Sequence, residues 1–219
     1  KLNIEKIKEA TKYFIGIHDF KAFTPNKDKR NSYVREIYEI NIQEENDKKL
    51  ILEYIDMFPD ILTRDNKLCH FTASNWIVNK DRTKVLMAYH NIYNSWAWTG
   101  GHADGDEDLL RVSIKEASEE TGINNLKLLS DGIFSIEILP VSAHIKRGHF
   151  VSSHLHLNCT YLFEANEEDE IRIKEDENSG VSWIDIDKTI EVSQEEQMKV
   201  IYQKLNDKLR IIDNKGSEQ

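Results

Sequence analysis

The sequence predicts an α+β fold, an α-β-α sandwich around a mixed β-sheet, with a helix–strand appendage at its N-terminus. Three observations carry this. From Cys69 onward, short alternating stretches of the strand type dominate. A single acidic helix interrupts them between Asp106 and Thr121, and a second helical period closes the chain over Glu195–Lys208. Strands and helices that follow one another without regular alternation argue for an α+β or α/β sandwich on a mixed sheet.

Ile4, Ile7, Phe14 and Ile15 share one face of a helix over residues 3–15, and His18–Lys29, with Pro25 and Asn26, reads as a loop. Val34–Gln43 alternates as a strand, and Glu44–Lys49 is a charge run. Lys49–Phe58 reads as a helix stopped by Pro59. Phe71–Asn79 and Lys84–His90 form a hairpin pattern around Asn79–Arg82, and Trp96–Thr99 is short and extended. Gly122 supplies the C-terminal stop of the acidic helix. Leu126–Leu139 is extended with a turn near Ser130–Gly132, Phe150–Phe163 is a long strand, and Val181–Ile184 another. Met198, Ile201, Tyr202 and Leu205 mark the buried face of the last helix. The expected organisation is an appendage over 1–50, a connecting helix over 51–67, a main domain over 68–212 and a tail over 213–219.

The 219 residues are 39% hydrophobic and 31% charged, which suits a soluble globular protein, and no apolar run reaches the length of a membrane span. Cys69 and Cys159 are the only cysteines, and their wide separation fits a reducing, cytoplasmic compartment better than a disulfide framework. The net charge of −10 disfavours a nucleic-acid partner. An acidic protein that handles phosphates needs a local positive charge, which a metal ion held by carboxylates would supply.

Glu116, Glu119 and Glu120 stand at i, i+3 and i+4 on the acidic helix, so three carboxylates share one face, while Leu110, Ile114 and Ala117 form its apolar stripe. One reading is a solvated acidic face. The other is a site for a hard cation, because carboxylate oxygens are the ligands that Mg²⁺ prefers. Gly100 and Gly101 would permit a tight turn before the helix and a close approach of backbone to ligand.

The full spacing decides between the two. Gly101, Glu107 and then Lys115-Glu116-Ala117-Ser118-Glu119-Glu120-Thr121-Gly122-Ile123 resemble the Nudix box, with Lys115 where that family usually carries Arg. The resemblance implies a Nudix hydrolase that uses Mg²⁺, with Mn²⁺ as the alternative ion, to cleave a phosphoanhydride in a small nucleotide-like substrate. It makes Gly101, Glu116, Glu119 and Glu120 metal ligands, gives Glu116 a second role in orienting the attacking water, and leaves Glu107 to support the loop. It pairs Lys115 with Glu107, as a point charge without the bidentate fork of Arg. Many members are dimers, so a homodimer is among the assemblies it implies.

The resemblance extends over about residues 68–210. His70-Phe71-Thr72-Ala73-Ser74, Gly100-Gly101-His102, His154-Leu155-His156 and Glu177 ahead of Val181-Ser182-Trp183-Ile184 are similar to one Nudix subgroup. His154 and His156 lie on one face of a strand, either as a solvated face or as groups that bind substrate phosphates or stand beside the acidic cluster. Glu177 is either a further ligand or base from a loop, or a surface acid. Lys146 and Arg147 either grip a phosphate or form a solvated turn. Trp96, Trp98 and Trp183 read as core.

Residues about 3–50 resemble a different family. Lys8-Glu9-Ala10, Tyr13-Phe14-Ile15-Gly16, His18-Asp19-Phe20-Lys21-Ala22-Phe23 and Val34-Arg35-Glu36-Ile37-Tyr38-Glu39-Ile40 are similar to part of the bacterial tRNA pseudouridine synthases. That family's Gly-Arg-Thr-Asp catalytic motif is absent from these residues, so no pseudouridine synthase activity is expected. Two rivals to hydrolysis remain: a nucleotide-binding or sensor module on a Nudix fold, and a tRNA-associated protein, which the net charge disfavours.

Overall fold

The computed structural model describes residues 16–19, 34–37, 42–146 and 148–216. The chain divides into two compact units, Lys1–Asn46 and Asp47–Gln219. In the first, β1 (Gly16–Asp19) pairs antiparallel with β2 (Val34–Ile37). His18 and Asp19 therefore belong to a strand and not to the expected loop. The helix expected over 3–15 lies outside the described residues. Strand β2 ends at Ile37, and α1 runs from Ile42 to Met57. Ile42, Gln43 and the charge run after them are thus helical, since Glu44–Lys49 holds no Gly or Pro to oppose the helix.

The second unit is built on an eight-stranded mixed sheet of order β12-β4-β3-β11-β7 (Asn178–Asp185, Lys84–His90, Cys69–Val78, His154–Glu164 and Lys127–Leu128). Strands β5 (Ser95–Ala97), β6 (Thr99–His102) and β8 (Ser135–Val141) extend β4, β3 and β11 respectively. At its centre β3 and β11 run parallel over ten residue pairs, from Leu155↔Cys69 to Glu164↔Val78. The expected β3–β4 hairpin pairs only at Val78↔Val85, because β3 then turns its edge to β6 and β4 to β5. The long strand expected over 150–163 is two strands, β10 (His149–Val151), which pairs with β9 (His144–Lys146), and β11.

Alternation along β3 sorts the two layers. Phe71, Ala73 and Ile77 pack with Val112 and Ala117 of α2 (Leu109–Thr121), together with Leu157, Cys159 and Phe163 of β11. Trp76 and Val78 pack on the other face with Met198, Tyr202, Leu205 and Leu209 of α4 (Glu196–Gly216), which follows the short α3 (Thr189–Val192). Helix α4 continues through residues expected as a tail, as far as Gly216. Trp96, Trp98 and Trp183 are only half-buried against these cores, while Trp76 is the tryptophan buried completely.

The α4 face of the sheet also carries a polar seam. The Glu137 carboxylate, 1% exposed, accepts from Ser135, Asn158 and Thr160 and pairs with Lys204 at 2.7 Å. A buried carboxylate is tolerable only while its counter-charge and hydrogen bonds stay in place. Lys204→Met should therefore destabilise the protein by about 3–5 kcal/mol, read as a shift in the urea midpoint at unchanged slope. Restoration of most of that loss by adding Glu137→Leu would show that the penalty lies in the orphaned carboxylate.

Candidate functional site

Helix α2 starts at Leu109, three residues later than the sequence suggests, because acidic side chains take up its first amide groups. The Asp108 carboxylate accepts from the Arg111 backbone N–H at 3.0 Å, and that of Asp106 accepts from the Asp108 N–H at 2.9 Å. Arg111 grips Asp106 with two side-chain hydrogen bonds, at 2.6 and 2.9 Å. At the far end Gly122 takes φ +81°, and its N–H closes the helix on the Ser118 carbonyl. Val112, Ala117 and Thr121 face inward, whereas Ile114, expected in the apolar stripe, is exposed.

Gly100 and Gly101 do not form a turn. They lie in β6, opposite Ser74 and Ala73 of β3. What their positions require is the absence of a side chain. A Cβ on Gly100 would lie 2.5 Å from the Ala73 carbonyl oxygen, and one on Gly101 would lie 2.3 Å from Cδ of Glu116. The helix thus rests its carboxylates directly on the strand backbone. Gly100 N–H donates to Oε1 of Glu120 at 2.9 Å.

This contact buries charge. Glu120 is only 5% exposed, and burial, with the nearby Glu116 and Glu177 carboxylates adding to it, pushes its pKa to about 8 against the pull of the Gly100 N–H and Lys174. Burial likewise raises Glu116, with Lys115 opposing and Glu119 and Glu177 reinforcing.

Two lysines meet this cluster. Lys115 Nζ lies 3.5 Å from Glu116 and 3.6 Å from Glu119. It does not pair with Glu107, which is exposed and makes no ion pair among the described residues. The brace between loop and helix is supplied instead by Asp106 with Arg111, and Arg64 clamps the same loop through two 2.7 Å bonds to Asp104. Lys174, which the sequence did not single out, bridges Glu119 at 3.3 Å and Glu177 at 3.1 Å. Burial lowers its pKa, but the bonds and charges of Glu177 and Glu119 outweigh that and raise it. Asn178 ties this turn to α2 by donating to the Glu120 carbonyl at 3.0 Å. Glu177 is thereby brought beside the helix glutamates.

His154 and His156 are elsewhere. Alternation on β11 turns them to the α4 face of the sheet, with the sheet between them and α2, so they do not stand beside the acidic cluster. There they pack with His70 and His102. Burial lowers the pKa of His70, against the bond to the Asn66 carbonyl. Arg147 lies outside the described residues.

Residues 70–205 match the NUDIX domain family, and residues 10–75 match the tRNA pseudouridine synthase family. Among curated proteins, tRNA pseudouridine synthase A 2 of Bacillus anthracis is 49% identical over 45 residues, 20% of this chain and 18% of that protein. The Clostridium acetobutylicum tRNA pseudouridine synthase A is 33% identical over 95 residues, 39% of each. The chain thus spans between 18% and 39% of the length of these two relatives. Among solved structures, a Nudix hydrolase from M. smegmatis is 15% identical with a TM-score of 0.50, covering 65% of this chain and 87% of that one. A C. elegans Ap4A hydrolase is 20% identical with a TM-score of 0.48, covering 64% and 95%. At such identity, the likeness to the first of these two concerns the fold alone.

The buried Glu120 has a consequence for stability. An acid whose pKa is raised by folding contributes stability that is complete below its unfolded pKa and is lost as pH rises through the folded one. For Glu120 that window runs from 4.5 to about 8. In chelator, the thermal midpoint should fall across this range, and Glu120→Gln should flatten the fall. An unchanged slope in the variant would remove Glu120 as its source.

Proposed function

The chain belongs to the Nudix family, and from that premise we propose that it is a hydrolase, dependent on Mg²⁺ or alternatively Mn²⁺, that cleaves a phosphoanhydride bond in a small nucleoside-diphosphate-linked molecule. Nucleotide sugars, dinucleotides and damaged nucleotides are the substrate classes in view. The observation that carries this reading is the convergence of four carboxylates, Glu116, Glu119, Glu120 and Glu177, around two ammonium groups among the described residues, Lys115 and Lys174.

The donor set fits a hard divalent cation. Glu120 is buried without an ammonium contact of its own among the described residues, and Glu116 lies against the Gly101 backbone. Glu116, Glu119, Glu120 and the Gly101 carbonyl would hold the ion, which when bound neutralises charge on the diphosphate and acidifies a coordinated water. The chain's own groups do the rest. Glu116 or Glu177 accepts the proton of the attacking water as its oxygen bonds to phosphorus and the bridging oxygen departs with the second phosphate. Lys174 holds Glu119 and Glu177 in place and offers positive charge to the phosphate. Lys115 orients Glu116 and Glu119. Glu107, exposed and without an ion pair among the described residues, is left its role in supporting the loop. The buried thiols Cys69 and Cys159 support a reducing, cytoplasmic setting.

A panel of nucleotide sugars, dinucleotides and nucleoside triphosphates, assayed for nucleotide products and pyrophosphate with Mg²⁺ and with chelator, tests this. Metal-dependent turnover should fall by roughly 10²-fold or more in Glu120→Gln. Turnover that survives both chelator and the substitution would contradict the reading. Mg²⁺ binding without turnover on any compound would favour a nucleotide-binding module instead.

A further inference from the structure

We propose that His70, His102 and His156 form a second metal site, on the sheet face opposite α2, that takes a borderline ion of the Zn²⁺ type. One ring nitrogen from each of the three lies within 4.8 Å of the others. The strands deliver them there. His70 of β3 and His156 of β11 are direct neighbours in the parallel pair, and His102 ends β6 opposite Thr72. Ring centroids lie 5.1 Å apart for His70 and His156, 5.2 Å for His70 and His102, and 4.9 Å for His102 and His156.

The chemistry of His70 points to a cation. Its ring is 4% exposed, and its Nδ1–H donates to the Asn66 carbonyl at 3.1 Å. That bond leaves the lone pair on Nε2, which is buried and has no hydrogen-bond partner. A backbone carbonyl that fixes the far nitrogen of a buried imidazole is the usual support of a metal-ligating histidine. A lone pair repels a phosphate oxygen, so the same feature disfavours an anion here. His154 stands beside the three, with Nδ1 held by the Ser152 carbonyl at 2.8 Å and Nε2 3.1 Å from Nε2 of His156.

The ligand type selects the ion. A set of three imidazoles suits Zn²⁺ or its transition-metal neighbours better than Mg²⁺, which prefers oxygen. Bonds of about 2.0–2.1 Å would draw the three nitrogens together by side-chain rotation, and a three-ligand set leaves a fourth position for water. The histidine site is independent of the hydrolase reading.

Calorimetric titration of the full chain with Zn²⁺, at saturating Mg²⁺, is the test. One equivalent should bind in the wild type and equally in Glu119→Gln/Glu120→Gln. His156→Gln and His102→Asn should each weaken it by at least about tenfold. Both residues are only half-buried, so a thermal midpoint near that of wild type would exclude misfolding as the cause. Zn²⁺ binding lost in the glutamate variant but kept in the histidine variants would overturn the proposal, as would no binding by the folded wild type. A parallel titration with inorganic phosphate that His156→Gln weakens, with Zn²⁺ binding unchanged, would make the rings an anion site and also overturn it.

Discussion

Everything at the acidic site depends on how closely α2 is pressed against β6. With no side chain on Gly100 or Gly101, the helix settles until the Glu116 carboxyl touches the Gly101 backbone and Glu120 takes the Gly100 amide. Sheet register fixes where that happens, because β6 is paired with β3, the strand at the middle of the sheet. Val112 and Ala117 anchor the opposite side of the helix in the core. Glu116 and Glu120 are held by packing and have little freedom to move apart and relieve their repulsion.

That rigidity has an electrostatic cost and gives the site its character. Burial holds Glu120 and Glu116 away from their ordinary ionisation, and Glu177 adds a further like charge from a separate turn. Lys174 offsets part of this by bridging Glu119 and Glu177. A fold that merely displayed an acidic helix to solvent would need neither the glycine contact nor a lysine inserted between two elements. This gathering of carboxylates around a buried Glu120 supports the proposal that a divalent cation completes the site.

Much of this was legible in the sequence, and the rest was not, for physical reasons. The carboxylate spacing and Gly122 are local features of one helix, so periodicity and motif recover them without tertiary knowledge. The role of Gly100 and Gly101 was misread as a turn because a close approach leaves the same glycine signature as a positive φ. Lys115 was assigned to Glu107 by analogy, but its own turn of helix offers Glu116 and Glu119 at shorter reach, and Asp106 with Arg111 already secures the loop. Lys174 carried no local signal, and the motif that contains His70 gave that residue no role of its own. Their significance arises only when strands and turns far apart in sequence are set in register, and one residue of alternation was enough to put His154 and His156 on the other face of the sheet.

The central claim is that a divalent cation completes the buried carboxylates of α2. A carboxyl ¹³C NMR titration of Glu120, in chelator and again with saturating Mg²⁺, tests it most directly. Without metal, the carboxyl should titrate near pH 8, in keeping with its burial, and with Mg²⁺ that transition should move to clearly lower pH. The same titration curve in both conditions would mean that the cation does not reach Glu120, and would contradict the account.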